Sequence, residues 1–234
     1  MYLSIIIPAY NEEKRIGATL SKIYEFLKDK KYDFEVIAVD DGSVDNTVSI
    51  ISESRLAKEN KLKILRNGDN KGKGYSVKRG IINSGGDYVL FSDADLSTPI
   101  EELDKFLNSM PEGCDMVIGS RSIKDSDIKV RQPWYRESMG KIFNFFVKLL
   151  LIREFNDTQC GFKLIKGDAA RELAGLMKIN GFAFDVEMLY LAHKKGYKIK
   201  EKGVSWNNSA ETKVRLLHSS TSMFLDLLRI KAIH

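Results

Sequence analysis

The sequence predicts an α/β protein of Rossmann-like architecture, with a mainly parallel sheet covered by helices on both faces. Three observations predict it. Over the first 120 residues, apolar runs of strand length alternate with stretches of helical periodicity. Polar clusters rich in Asp, Asn and Gly follow most of the runs, where such sheets hold their ligands. The composition, 43% hydrophobic and 29% charged, is that of a folded soluble chain. It excludes a disordered chain, and 17 Gly with two Cys exclude collagen-like and disulfide-scaffold classes. At 234 residues the chain is long enough to bury a sizeable core.

The elements follow in order. Residues 3–7 are an apolar run stopped by Pro8, the pattern of a buried strand. Ile16, Leu20, Ile23, Phe26 and Leu27 are spaced as one helical face within residues 12–29. Residues 34–39 read as the second strand, 45–58 as a helix with Val48, Ile51 and Leu56 inward, and 62–65 as the third strand. A helix over 75–84 is closed by Gly85-Gly86. Strand four is expected at 88–91, then a helix at 99–107 with Thr98 as N-cap and Pro99 in first position, then strand five at 116–118. Beyond 120 the pattern changes. Residues 121–132 read as a polar loop, 134–152 as a long helix, 168–178 and 184–195 as helices, 198–204 as a strand and 213–231 as a final helix.

Charge is uneven. Residues 1–118 hold 16 basic against 20 acidic residues (net −4), 119–153 hold 8 against 3 (+5), 154–193 hold 4 against 6 (−2), and 194–234 hold 9 against 3 (+6). Local basic blocks point to a local anionic partner: nucleic acid, a membrane surface or a phosphorylated substrate. Nucleic acid is excluded, because the aromatics sit among aliphatics in helical stretches rather than interleaved with basic residues. Cys114 and Cys160 lack CxxC spacing, so reduced thiols are expected rather than zinc ligands. The histidines, His193, His218 and His234, fall in no motif. No leader pattern follows Met1 and no apolar run reaches spanning length, so a cytoplasmic or membrane-peripheral protein is expected.

Four clusters carry chemistry. Asp93-Ala94-Asp95 follows YVLFS; two carboxylates at a strand end either cap the loop or share a hard divalent cation with substrate phosphates. Asp40-Asp41-Gly42-Ser43 ends the second strand; there Asp accepts bonds from ribose or base, or Ser43 or Asp45 caps the next helix. Asn70-Lys71-Gly72-Lys73-Gly74 resembles a phosphate-cradling loop but has neither Walker A nor GxGxxG spacing. The fourth is the compact block NDTQCGFKLI of residues 156–165.

Together SIIIPAYNEE, VIAVDDGSVDNT, the DAD of residues 93–95 and NDTQCGFKLI resemble glycosyltransferase family 2, the GT-A fold, in order and spacing across residues 4–165. DTQCGFKLI and FAFDVEMLYLA are most similar to its polyprenyl-phosphate sugar transferases, the dolichyl-phosphate β-glucosyltransferase branch. The resemblance implies a single domain over 1–234, with a nucleotide-sugar half (1–120), an acceptor half (121–212) and an amphipathic helix (213–234). It implies an inverting transfer of hexose, glucose from UDP-glucose, onto dolichyl phosphate, with Mg²⁺ or Mn²⁺ as cofactor. Pro8, Ala9, Tyr10, Asn11, Glu12, Asp40, Asp41, Lys71 and Lys73 would hold the donor with Asp93, Ala94 and Asp95. Asp93 and Asp95 would handle metal and diphosphate. Arg121, Arg131 and Arg136 would contact the acceptor phosphate, and Asp157 and Gln159 would stand near the reacting carbon. A mannose synthase-like enzyme using GDP-mannose, a family member of polysaccharide synthesis, and a non-catalytic binder on the same fold remain alternatives.

Two helices suit a lipid acceptor. In 136–152, Glu137, Lys141, Asn144 and Lys148 form one polar stripe and every other face is apolar. That pattern fits a helix lying on a bilayer or one sandwiched in the core. Residues 213–231 repeat it, with Lys213, Arg215, Arg229 and Lys231 flanking Val214, Leu216, Leu217, Met223, Phe224, Leu225, Leu227, Leu228 and Ile230. Peripheral attachment to the cytosolic face of a membrane is expected; the sequence leaves the oligomeric state open.

Overall fold

A computed structural model describes residues 2–110, 113–208 and 216–234, without the side chains of 216–221. Strands β1 (Tyr2–Ala9), β2 (Asp33–Asp40), β3 (Leu62–Arg66), β4 (Tyr88–Ser92), β5 (Met116–Ser120), β7 (Phe162–Lys166) and β8 (Ile199–Gly203) form one sheet in the order β3-β2-β1-β4-β7-β5-β8. Every pairing is parallel except those of β7, which runs antiparallel to β4 and β5. Strands β6 (Asp127–Val130) and β9 (Ser205–Asn207) form a separate two-stranded sheet.

Alternation along a strand sends neighbouring side chains to opposite faces, and both faces are covered. Leu3, Ile5 and Ile7 pack with the helices α1 (Ile16–Leu27), α2 (Thr47–Glu53), α3 (Arg55–Lys58) and α5 (Glu102–Leu107). Ile6, Ile37, Val39 and Phe91 pack on the other side with α4 (Lys73–Ile82), α7 (Gly167–Leu176) and α8 (Phe184–Lys194). A third cluster, of Val147, Ile179, Ala183, Val186, Leu227 and Ile230, joins α6 (Trp134–Leu150) and α9 (Leu216–Ile233) to this side.

Several local expectations need correction. The helix expected over 45–58 is two helices, because Ser54 is extended (φ −62°, ψ 155°) and its Oγ accepts from Ala57 N at 3.3 Å to start the second. Neither Thr98 nor Pro99 begins α5, which starts at Glu102; the Thr98 hydroxyl lies 3.7 Å from Cys160 Sγ instead. The polar loop contains β6, held in place by a strand more than 70 residues away. Both cysteines are free and buried. Residues 213–215 of the last expected helix lie outside the described residues, as do the side chains of Leu216, Leu217 and His218. Among the described residues, no helix is long and apolar enough to cross a membrane.

The reversed strand positions the site. Ser92, the last residue of β4, pairs with Phe162, the first of β7, and Ile118 pairs with Lys163. Residues 157–161 therefore arrive beside the ends of β4 and β5, at the edge where β1 and β2 also end.

Candidate active site

The loops after β1, β2 and β3 are laced together. Asn11 takes a left-handed backbone (φ 54°), donates from its N–H to Ser43 Oγ at 2.9 Å and accepts from Val44 N at 2.9 Å. Glu12 N donates to Thr47 Oγ1, and Asp45 Oδ1 accepts from Thr47 N at 3.0 Å, so Asp45 rather than Ser43 serves the start of α2. Pro8 and Ala9 end β1, Ala9 buried, with Tyr10 exposed beyond them.

The two acids after β2 behave differently. Asp41 is fully engaged: it accepts from Asn67 Nδ2 (2.7 Å), Lys71 N (3.0 Å) and Gly72 N (2.9 Å), anchoring the loop before α4. Asp40 is buried with Oδ1 bonded to Ser43 N (3.1 Å), while its Oδ2 has no hydrogen bond. Gly72 (φ 102°) admits no side chain, because a Cβ would stand 2.3 Å from Asn180 O. Lys71 is exposed, 3.7 Å from Asp69.

Asp93 N donates to Gly161 O at 3.1 Å, and a Cβ at Gly161 would fall 2.0 Å from Asp93 Oδ2. Glycine at 161 therefore makes room for this carboxylate. Asp93 Oδ1 is shielded, lacks a well-aligned hydrogen bond and lies 2.6 Å from Lys73 Nζ. Asp95 accepts from Ser97 N at 2.9 Å and faces Arg15 Nη1 at 3.9 Å; Ala94 O accepts from Thr19 Oγ1 at 2.6 Å. Burial first, and then the Asp93 charge, push the Asp95 carboxyl above its ordinary range. Among the described residues no cluster of three or more His, Cys, Asp or Glu is shaped for a metal. Two hard carboxylates, one with an oxygen that no hydrogen bond holds, fit a Mg²⁺- or Mn²⁺-type ion that would complete its shell with water and phosphate oxygens.

Behind them lies a pair that sequence reading missed. Lys163 is fully buried, paired with Asp185 Oδ1 at 2.5 Å and donating to Cys160 O at 2.6 Å. The signal was a lysine inside the apolar run GFKLI and an aspartate inside FAFDVEM, since buried charges come paired.

Beyond the end of β5, a cavity of about 980 Å³ brings Arg121, Arg131, Arg136, Asp157 and Gln159 together with Ile128, Phe143, Phe146, Trp206 and Phe224. Arg121 grips Asp157 at two points, Nε–Oδ2 at 2.6 Å and Nη2–Oδ1 at 2.9 Å, while Arg121 N and Gln159 N donate to the same carboxylate. Burial alone would raise Asp157, but the Arg121 charge and these bonds hold its carboxyl below the usual range. Trp206, missed by the sequence reading, carries the Arg121 guanidinium 5.7 Å from its ring centre. Arg136 Nε is buried without a partner. Burial and then the Asp157 charge push the nearby Cys160 thiol up to about 11, so it stays a neutral packing group.

The family model described as glycosyl transferase family 2 matches residues 4–174. The chain belongs to that family. Its members that resemble it over nearly the whole length include the dolichyl-phosphate beta-glucosyltransferases of Dictyostelium discoideum, 37% identical over 99% of this chain and 74% of the relative, and of Homo sapiens, 32% identical over 98% and 74%. The family fold is shared with glucosyl-3-phosphoglycerate synthase of Mycobacterium tuberculosis, solved with Mn²⁺, uridine diphosphate and glucosyl-3-phosphoglycerate. Its TM-score is 0.70 at 19% identity, covering 100% of this chain and 81% of that one. The chain is a glycosyltransferase with the expected α/β fold.

Proposed function

We propose that this glycosyltransferase moves glucose from UDP-glucose to the phosphate of dolichyl or another polyprenyl phosphate, at the cytosolic face of a membrane. The observation that carries the reading is the cavity, in which three arginines stand at the edge of an apolar wall built from α6, α9 and β9. That pairing of charge and grease suits a phosphate on a hydrocarbon chain. The names of the relatives support the same donor sugar and acceptor.

The chemistry follows from charge. An acceptor phosphomonoester has a second pKa of about 6, by analogy with phosphorylated side chains, so its oxygen is nucleophilic at neutral pH without a strong base. Asp157, locked to Arg121 and held ionised, orients that guanidinium rather than taking a proton. Arg121, Arg131 and Arg136 position the phosphate for in-line attack on the anomeric carbon, giving inversion. On the opposite side Lys73, Lys71 and the first N–H groups of α4 face the leaving diphosphate. A divalent cation on Asp93 and Asp95 supplies electrostatic stabilisation of that leaving group.

Membrane contact is supported by the orientation of α6. Asn144 Nδ2 and Lys148 Nζ bond to Asn156 (2.8 and 3.0 Å), so much of the polar stripe is spent on the protein. Trp134, Ile142, Phe145 and Leu149, spaced as one stripe, are 79%, 58%, 61% and 56% exposed. Leu225 and Leu228 of α9 are exposed as well. A leaflet would cover this surface, aided by basic residues near anionic lipid.

The test is radiolabelled transfer from a panel of UDP- and GDP-sugars into extracted lipid, with and without Mn²⁺. Metal-dependent transfer of glucose from UDP-glucose into lipid phosphate is expected. Transfer to a water-soluble acceptor and none to lipid phosphate would reject the reading.

A further inference from the structure

We propose that Lys73 is a resident counter-ion for Asp93, and that metal and donor binding shift it from that carboxylate to the leaving diphosphate. The proposal rests on the divalent-cation reading above.

The geometry is specific. Lys73 Nζ lies 2.6 Å from Asp93 Oδ1, an oxygen shielded from solvent and without a well-aligned hydrogen bond. Without Lys73 or a metal, that shielded oxygen would face no compensating charge at hydrogen-bond distance. Lys73 is not committed elsewhere by charge balance. The nearby Asp185 already has its own partner in the fully buried Lys163, which is pinned in turn by Cys160 O. The ammonium rests 5.4 and 5.8 Å from the ring centres of Phe91 and Phe184, a slot that favours a cation without bonding it to a fixed place.

Position on the helix adds an independent reason. Lys73 is the first residue of α4, and helix N-termini carry partial positive charge. A cation is poorly placed there unless an anion shares the spot. Asp93 is that anion in this structure, and a diphosphate is the other anion the site is proposed to take. A metal at Asp93 and an ammonium on the same oxygen repel, so one displaces the other.

The experiment measures Mn²⁺ binding to nucleotide-free protein by the EPR signal of free Mn²⁺, and UDP binding to Mn²⁺-saturated protein by calorimetry. Lys73→Met is expected to bind Mn²⁺ several-fold tighter and UDP about tenfold weaker than wild type, while Lys73→Arg restores both values. Loss of fold would not produce opposite signs; Lys73→Gln, with the same expectation, is the second neutral variant. Equal or weaker Mn²⁺ binding by a folded neutral variant overturns the proposal alone. A wild-type protein that binds no Mn²⁺, with or without UDP, fails the divalent-cation reading and overturns the proposal with it. A structure with Mn²⁺ and UDP in which Lys73 Nζ stays within ion-pair distance of Asp93 Oδ1 overturns it as well.

Discussion

Around Asp41 the carboxylate is met by donors from Asn67, Lys71 and Gly72, and the neighbouring loops bond to one another from Asn11 to Thr47. Around Arg136 the opposite holds: a guanidinium nitrogen and Asn144 Oδ1 are buried without partners, beside large apolar side chains left in the open. The region around Asp41 is a polar frame in which, among the described residues, the buried carboxylate oxygens without a hydrogen bond are those of Asp40 and Asp93. One end of the sheet thus carries both a preorganised polar site and an apolar cavity with unpaired polar atoms, the contrast expected if the proposed donor is water-soluble and the proposed acceptor is a lipid.

The largest effect should come where the two sides meet. Asp157→Ala leaves the half-buried Arg121 guanidinium, and the two backbone N–H groups that share the buried carboxylate, without their partner and should cost about 3–5 kcal/mol in denaturant unfolding. Because the Asp157 carboxyl is held below its unfolded value of about 3.9, its contribution is complete above that pH and disappears as pH falls through the lower folded value. A variant as stable as wild type, with the same acid sensitivity, breaks the idea that this pair anchors the acceptor side. Asp95→Ala should next reduce turnover by roughly 10²–10³ while the protein stays folded; an unchanged rate removes the metal assignment.

Sharper division is tested by Arg136→Ala. Loss of one charged contact to phosphate, about 1.5–3 kcal/mol, should raise KM for the lipid phosphate tenfold or more with the donor KM unchanged. An equal rise in both constants would show that the two sides do not bind separately. The smallest effect is Leu149→Glu, which places charge on the exposed stripe of α6. Sedimentation with anionic vesicles should fall several-fold at unchanged melting temperature; undiminished binding rules this stripe out as the contact surface.

The donor half was legible because its signals are local. An apolar run followed by PAYNEE, DDGS or DAD is enough to place a strand and the polar residues at its end. Three things were not local. The break at Ser54 is a single extended residue inside an otherwise helical pattern. Strands β6 and β9 are short and polar, and each exists through the other. The burial of Lys163 depends on Asp185, so neither residue announces the pair alone. The polar stripe of α6 was legible, but its direction was not fixed by the sequence: Asn144 and Lys148 bond to Asn156, and Ile142, Phe145 and Leu149 are left exposed.

The reversed strand β7 also dictates a schedule. As the chain emerges, β3, β2, β1 and β4 can pair with one another, yet one edge of β4 stays open until residues 162–166 exist to close it. The same late segment carries Lys163 and follows directly on Asp157 and Gly161. A chain that pairs these four strands first would carry an unpaired edge on β4, which a chaperone or a folding error can find. Amides of β4 and β5 should gain hydrogen-exchange protection after those of β1 and β2 during refolding. The last strand to enter the middle of the sheet thus brings Asp157 and Gly161 to the site, while Trp206 of β9 and Phe224 of α9 join the cavity from later in the chain.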